Sequence, residues 1–321
     1  MGKKSFPFYD APEQKVLSFL PLNHIFEKVA SYIYMFSGMS IYYAESLETI
    51  GENLKEVSPD CFSTVPRLLE KMFEKIMMKG EELTGVKRKL FFWAVALGEK
   101  YDNLTPGSWW YRTQLKLANK LIFVKWREAV GSNVKFIVTG GAACQVKLLR
   151  IFNAAQIPVY EGYGPTENSP IISLNLRIPG GTKFGTVGKV IEGVDYKLEA
   201  DGEICVAGPS VMLGYYKRPD LTDECIDKDG WFHTGDIGRM DDEGRFYFMH
   251  RISERIRVKG EMVSAYEIEE GVLLHPDVKD CAVIGVAGEM TEEDIKLFVI
   301  KKDNAKLTSE DLIMHCKERM A

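Results

Sequence analysis

Short apolar runs alternate along the chain with longer segments in which apolar residues recur every three or four positions. Lys15–Leu20 reads as a buried strand, and Pro21 ends it. Val29–Ala44 reads as a buried helix turning at Gly38 into a strand, Met39–Tyr43. Ser46–Glu56 has Leu47, Ile50 and Leu54 near helical spacing. Asp60–Val65 predicts a strand, and Pro66 a helix start. Arg67–Gly80 puts Leu68, Leu69, Met72, Phe73 and Ile76 on one helical face. Helices are also predicted over Lys87–Tyr101 and, in an aromatic and basic pattern, over Trp109–Glu128.

Strand Val134–Val138, a Gly-Gly turn, helix Gln145–Ala155, strand Ile157–Tyr160 and a second glycine turn follow in succession. That order predicts an α/β unit with a mainly parallel sheet, whose ligand loops lie at the carboxyl ends of the strands. From Thr182 the texture changes. Gly185–Lys189, Val194–Glu199, Glu203–Ala207 and Phe246–Phe248 are short strand patterns between glycine and aspartate turns, which suggests a small β-subdomain or distorted barrel. Near the end come a helix at Tyr266–His275, strands at Val278–Val286 and Ile295–Lys301, and a helix at Ser309–Met320. Thr308 and Asp311 stand in capping-box positions for that last helix.

The stretch Val159–Pro170, Val-Tyr-Glu-Gly-Tyr-Gly-Pro-Thr-Glu-Asn-Ser-Pro, carries the candidate chemistry. Glycines let a backbone approach a ligand closely. The Thr166 hydroxyl suits an anionic oxygen, the Glu167 carboxylate suits a hard cation such as Mg²⁺, and the Tyr163 ring suits the face of a base. Alone, Gly-x-Gly-Pro also reads as a plain turn. A dinucleotide fingerprint would need glycine where Glu167 stands. A P-loop would need a glycine five places before Gly188-Lys189 and a hydroxyl residue after it, where Lys183 and Val190 stand.

Further stretches accompany it in order. Thr139-Gly-Gly-Ala-Ala143 lies upstream; Trp231-Phe-His-Thr-Gly-Asp236, His250-Arg251, Val258-Lys-Gly260 and Glu267-Ile-Glu269 lie downstream. Together they closely resemble the AMP-forming acyl-CoA synthetases and their adenylating relatives. Leu20-Pro-Leu-Asn-His-Ile-Phe-Glu27 looks most like the long-chain fatty acid branch. The resemblance implies an α/β fold: part of a large adenylate-forming domain, with parallel-sheet layers and a small distorted β-barrel, then part of a smaller α+β C-terminal domain. The expected boundaries are 1–249 for the first (β-subdomain about 182–249), 250–253 for a hinge and 254–321 for the second.

The activity implied is attack of a carboxylate on the α-phosphate of Mg·ATP, followed by transfer of the acyl group to coenzyme A. Such a reaction requires positioning and stabilisation of charge on phosphate oxygens rather than a strong base. Thr166 resembles the hydroxyl that touches the α-phosphate, and Glu167 the magnesium ligand. Gly162, Tyr163 and Gly164 resemble the wall around adenine and AMP; Gly140, Gly141 and Ala142 the seam between acyl pocket and adenine; His24 part of the acyl-site wall. Asp236 resembles the carboxylate that accepts the ribose hydroxyls, and Arg251 the cation that steadies ribose and domain junction. Ser253 occupies the hinge position, often Asp or Lys in the family, and Val258-Lys259-Gly260 resembles the loop that enters during thioester formation. Read residue by residue, His24 also suits a satisfied structural histidine, Asp236 a turn aspartate and Arg251 a surface ion pair.

Two family features are not found: a Ser/Thr/Gly-rich phosphate loop, expected before Lys15–Leu20, and a late lysine in a Gly-Lys context. The expectation is a chain that adenylates poorly alone, with a complementing N-terminal fragment as a candidate partner. The alternative is a non-catalytic nucleotide- or acyl-binding fragment, or half of a split enzyme.

Composition narrows the setting. The 321 residues are 45% hydrophobic and 27% charged, as in ordinary globular proteins. A net charge of −5 gives no basic footprint for nucleic acid. Six scattered cysteines without Cys-x-x-Cys predict reduced thiols and a cytoplasmic setting rather than a disulfide framework or zinc site. Met1-Gly-Lys-Lys opens no long apolar run, so no signal peptide is expected. Arg112, Lys116, Lys120, Lys125 and Arg127 suit either acidic lipid or phosphate, or an ordinary solvated helix face, which scattered cations favour. Peripheral membrane contact stays open, because a fatty acid has to be drawn from somewhere.

Overall fold

The computed structural model describes residues 13–105, 107–258, 261–287, 293–302 and 305–319. The chain forms two compact units. One holds the chain up to Tyr196, Val206–Phe232 and Met240–Tyr247; the other holds Lys197–Cys205, His233–Arg239 and the chain from Phe248 onward.

The first unit is built on strands β1 (Lys15–Ser18), β2 (Ser40–Tyr43), β3 (Cys61–Thr64), β4 (Phe136–Thr139), β5 (Val159–Tyr163), β6 (Ser173–Leu174) and β7 (Gly188–Val190). They hydrogen-bond in the order β2-β1-β3-β4-β5-β6-β7. Pairing is parallel from β2 through β5. It turns antiparallel at β5–β6 and β6–β7, so the sheet is mixed rather than mainly parallel throughout.

Alternation along these strands explains the layers. Leu17, Phe62, Ile137 and Val159 join one core, which also holds Leu69, Phe91, Trp126, Leu149 and Phe152. Their neighbours Val16, Cys61, Phe136, Val138 and Tyr160 join a second core with Ala30 and Tyr34. Residues one apart on a strand point to opposite faces, so a sheet buried on both faces needs continuous apolar runs. That is why these segments are legible as strands.

The helices of this unit are α1 (Ile25–Phe36), α2 (Ile50–Val57), α3 (Pro66–Glu81), α4 (Gly85–Glu99), α5 (Trp109–Ala118), α6 (Val124–Ala129), α7 (Val146–Ala154) and α8 (Pro219–Cys225). Pro66 opens α3 at a position where its missing N–H costs nothing. The helix predicted over Trp109–Glu128 is interrupted by a π turn, Asn119–Phe123. Buried Asn119 donates through Nδ2 to the carbonyls of Leu115 (3.1 Å) and Ala154 (2.8 Å), and Arg127 Nη1 donates to its Oδ1 at 2.8 Å. A side chain that bonds into the helix's own carbonyl ladder widens that turn.

The second unit contains residues from β8 (Asp195–Leu198), β9 (Glu203–Ala207), β10 (Phe232–Met240) and β11 (Arg245–Arg251), in hydrogen-bonded order β11-β10-β9-β8. β10 is not announced by alternation, because Gly235, Asp236 and Gly238 interrupt it. After a 3₁₀ turn at Ile252–Glu254 come β12 (Arg255–Val258), β13 (Glu261–Ser264), α9 (Ala265–Leu273), β14 (Val278–Ala287), β15 (Glu293–Lys301) and α10 (Ser309–Arg319). Val272, Val278 and Leu307 centre its core. The Thr308–Asp311 capping box forms as expected: Asp311 N–H donates to Thr308 Oγ1 at 3.2 Å, and Thr308 N–H donates back to Asp311 Oδ2 at 3.0 Å.

Candidate active site

β4 and β5 are adjacent and parallel, so the glycine turn after β4 and the Gly162–Thr166 stretch at the end of β5 come together at one end of the sheet. They line a cavity of about 60 Å³ that also touches His24. Gly140, Gly141, Gly162, Tyr163, Gly164 and Thr166 all border it; Ala142 and Glu167 do not. His24 has a second task that suits its structural reading. It caps α1, its Nδ1 accepting from Phe26 N–H at 3.3 Å.

The glycines here do different jobs. Gly141 sits at φ +82° with open space where a Cβ would stand, so its role is backbone conformation. At Gly164 an added Cβ would run into the Pro170 carbonyl oxygen. Gly162 and Tyr163 lie on β5 itself, paired with Leu174 and Ser173, rather than in a free turn.

Next to the cavity-lining Gly162 on β5 stands a carboxylate that sequence reasoning passed over. Glu161 is buried, and its Oε1 accepts the Cys144 N–H at 2.8 Å, tying β5 to the end of the Thr139–Ala143 turn. Burial pushes its pKa up to about 8, only partly offset by that amide. Glu27 is similar: buried on α1, bonded by Ser18 Oγ at 2.5 Å, and pushed up to about 7 by burial. The available signal was a charged residue inside an apolar strand, Val-Tyr-Glu-Gly. Thr139 Oγ1, on the cavity wall, is buried without a hydrogen-bond partner.

Thr166 and Glu167 form a 3₁₀ turn, Thr166–Asn168. Tyr215 donates its hydroxyl to Glu167 Oε1 at 2.8 Å, and Met212 N–H donates to the Glu167 carbonyl at 2.7 Å. Burial and then the Glu167 carboxylate raise the Tyr215 pKa, so the phenol stays a donor. The half-buried carboxylate and the orphaned Thr139 hydroxyl fit a magnesium nucleotide: hard oxygen for the cation, an unused hydroxyl for the ligand.

The second unit presents Asp236. It is buried on β10, and Arg251 Nε lies 3.2 Å from its Oδ1. Four contacts set this turn of strand. Asp236 N–H donates to Thr234 Oγ1 at 3.1 Å, which donates on to the Ile204 carbonyl at 2.7 Å. Gly235 N–H donates to Glu203 Oε1 at 2.9 Å, and His233 Nδ1 lies 2.8 Å from Glu203 Oε2. Glu199, Cys205 and His233 also bring one ligand atom each within 4.8 Å of one another. None of the six cysteines is joined in a disulfide. Ser253 lies in the exposed 3₁₀ turn after β11, and Val258 ends β12. Lys259 and Gly260 lie outside the described residues. A larger cavity, about 520 Å³, opens between β15 and α10 in this unit, but it holds none of the candidate site residues.

The pattern of the AMP-binding enzymes matches residues 3–216, and that of their C-terminal domain matches residues 267–321. The chain belongs to the AMP-binding enzyme family. It is 34% identical over 290 residues to the long-chain-fatty-acid–CoA ligase ACSBG2 of Xenopus laevis, covering 85% of this chain and 38% of that protein. Against the long-chain-fatty-acid–CoA ligase of Escherichia coli O6:H1 it is 42% identical over 172 residues, covering 50% of this chain and 30% of that protein. Among solved structures, o-succinylbenzoate coenzyme A synthetase (MenE) from Bacillus subtilis, in complex with ATP and magnesium ion, has a TM-score of 0.69 at 23% identity. That match covers 97% of this chain and 56% of that one. The anthranilate CoA ligase AuaEII with anthranoyl-AMP has a TM-score of 0.69 at 20% identity, covering 100% of this chain and 55% of that one. These structures share the fold of this AMP-binding enzyme, an α/β unit with a mixed sheet followed by a smaller α+β region. The chain therefore spans well under half the length of those two curated relatives.

Proposed function

We propose that this chain is the adenylate-handling part of a long-chain fatty acid–CoA ligase, which joins a fatty acid to coenzyme A through an acyl-adenylate, with ATP going to AMP and diphosphate. The observation that carries this reading is a cavity bordered jointly by His24, by Gly140–Gly141 and by Gly162–Gly164 with Thr166, three motifs apart in sequence. The named activity of the ligases to which it is similar supports the acid and the thiol.

In this reading Tyr163 and the glycines wall the AMP, Thr166 donates to the α-phosphate, and His24 and Gly141 border the acyl chain. The reacting carboxylate is already charged, so these groups orient it and exclude water rather than deprotonate it. Glu167 would hold Mg²⁺, which would supply charge neutralisation on the phosphates; Tyr215 fixes one oxygen of that carboxylate. Asp236 accepts from the ribose hydroxyls and Arg251 holds Asp236. Ser253 is the swivel between a large domain 1–249 and a small domain 254–321, and Val258–Gly260 serves the thioester step. The chain alone is expected to bind adenosine nucleotide and to adenylate poorly. One preorganised electrostatic donor is worth about two to three orders of magnitude in rate. No helix among the described residues is long and apolar enough to cross a membrane.

Calorimetric titration with AMP, then with ATP and Mg²⁺, tests the proposal. Saturable AMP binding that is lost in Asp236→Ala supports it. A folded sample that binds neither nucleotide overturns it for this chain, and normal pyrophosphate exchange with palmitate would refute the impaired-adenylation part.

A further inference from the structure

Between Gly107 and Arg127 the chain carries five cations and no carboxylate, although the whole protein has a net charge of −5. The structure turns much of that charge outward. Arg112, Lys116, Lys120 and Lys125 are all exposed, while Arg127 is drawn inward to Asn119 and the Ala155 carbonyl. The segment's apolar residues divide between core and surface, with Tyr111, Leu115, Ile122 and Val124 half-buried. Ala118, Phe123 and Trp126 are buried in the first unit's core, and Tyr111 donates its hydroxyl to the Leu97 carbonyl at 2.9 Å. Trp109 and Trp110 stand outside, 70% and 62% exposed, their rings 6.1 Å apart at the start of α5. Leu117 and Leu121 are exposed as well.

Helical spacing organises these outward residues. Trp109, Thr113 and Leu117 follow one another at four-residue intervals, and Leu121 continues the row into the π turn. Arg112, Lys116 and Lys120 form the next row at the same interval. Exposed tryptophans over an aliphatic stripe, flanked by cations, are what a bilayer surface rewards. The indole settles at headgroup depth, the leucines reach the acyl boundary, and the cations meet lipid phosphate. A merely solvated helix face has no reason to hold two adjacent indoles in water.

We propose that the α5 face, from Trp109 through Leu121 with Lys125, docks on an anionic lipid bilayer. Charge complementarity commits the face to that occupant: four exposed cations, Arg112, Lys116, Lys120 and Lys125, against one exposed carboxylate, Glu128, at the far end of the segment, on a protein whose net charge would otherwise repel such a membrane. None of these residues borders the nucleotide cavity, so docking and the proposed reaction stand or fall separately.

The test is flotation of the full chain with vesicles of phosphatidylcholine alone or mixed with phosphatidylglycerol, at low and high salt. Binding is expected only to the mixed vesicles, weakened by salt, with a blue shift of tryptophan emission. The double variant Lys116→Glu/Lys120→Glu should lower partitioning at least about thirtyfold, from roughly fivefold for each cation removed. The double variant Trp109→Ser/Trp110→Ser should lower it about tenfold or more and abolish the blue shift. These side chains are exposed, so urea midpoints serve as the folding control; Lys116→Gln/Lys120→Gln replaces the charge reversal if that variant does not fold. Absence of binding to mixed vesicles at low salt overturns the proposal. So does binding that neither double variant weakens, equal binding to neutral vesicles, or a change in self-association in place of vesicle binding. AMP binding, measured in parallel, is expected to be unchanged in both variants.

Discussion

The glycine cradle of the first unit and the Asp236 strand of the second hold candidate site residues by different physical means. The cradle is a matter of shape. A Cβ at Gly164 would meet the Pro170 carbonyl oxygen, and Glu161, a buried carboxyl with a raised pKa, holds the Cys144 amide at the end of the turn. Asp236 is held by polar contacts, with Glu203 bridging His233 and the Gly235 amide, Thr234 beside it and Arg251 alongside. A shape-built site fails when volume is added; a site built on hydrogen bonds fails when a partner is removed. The contrast predicts that damage to the first appears as lost stability and damage to the second as lost affinity.

Gly164→Ala should show the largest effect, a loss of about 3 kcal/mol or more, because the methyl group meets backbone that cannot swing aside. Urea unfolding measures it, and a near-neutral result would remove shape as the cradle's organising principle.

Glu161 sharpens the same side through pH. Its folded pKa, about 8, lies above its ordinary value of 4.5, so above pH 4.5 the folded state keeps a proton that the unfolded chain releases. Stability is therefore full below about 4.5 and falls as pH rises toward 8, by at most about 1.4 kcal/mol per unit. Glu27 adds the same sign up to about 7. Glu161→Gln should flatten the part of the fall above pH 7, and Glu161→Gln/Glu27→Gln the whole of it. Urea midpoints across this range decide the matter, and an unaltered slope in the double variant would show that neither carboxyl keeps its proton in the fold.

On the other side, Asp236→Asn should leave the urea midpoint nearly unchanged while weakening AMP binding about thirtyfold, the worth of a charge-assisted hydrogen bond or two. Glu203→Gln is the subtler change. It keeps the shape but weakens the hold on His233 and Gly235, so AMP affinity should fall about fivefold with no change in stoichiometry. Calorimetry reads both. If the two variants lose stability instead of affinity, the contrast between the regions is wrong.

Much of the first unit is legible in the order of its residues. Leu17, Phe62, Ile137 and Val159 with their apolar neighbours spell strands buried on both faces, Pro66 marks a helix start, and in the second unit Thr308 with Asp311 marks another. The order of the glycine, threonine and aspartate motifs points to the family. Each of these signals is local: a propensity, a period or a cap needs only residues a few positions apart.

What the chain's order of residues leaves silent is non-local. Glu161 finds the Cys144 amide 17 residues away, Tyr215 finds Glu167 across 48, and Glu203 finds the Gly235 amide across 32. β6 is two residues long, and β10 runs through two glycines; both are strands because neighbouring strands supply their hydrogen bonds. The π turn at Asn119 likewise follows from carbonyls that packing brings within reach. A buried polar group must find a partner wherever the folded backbone offers one, and that offer exists only once distant segments have been packed together.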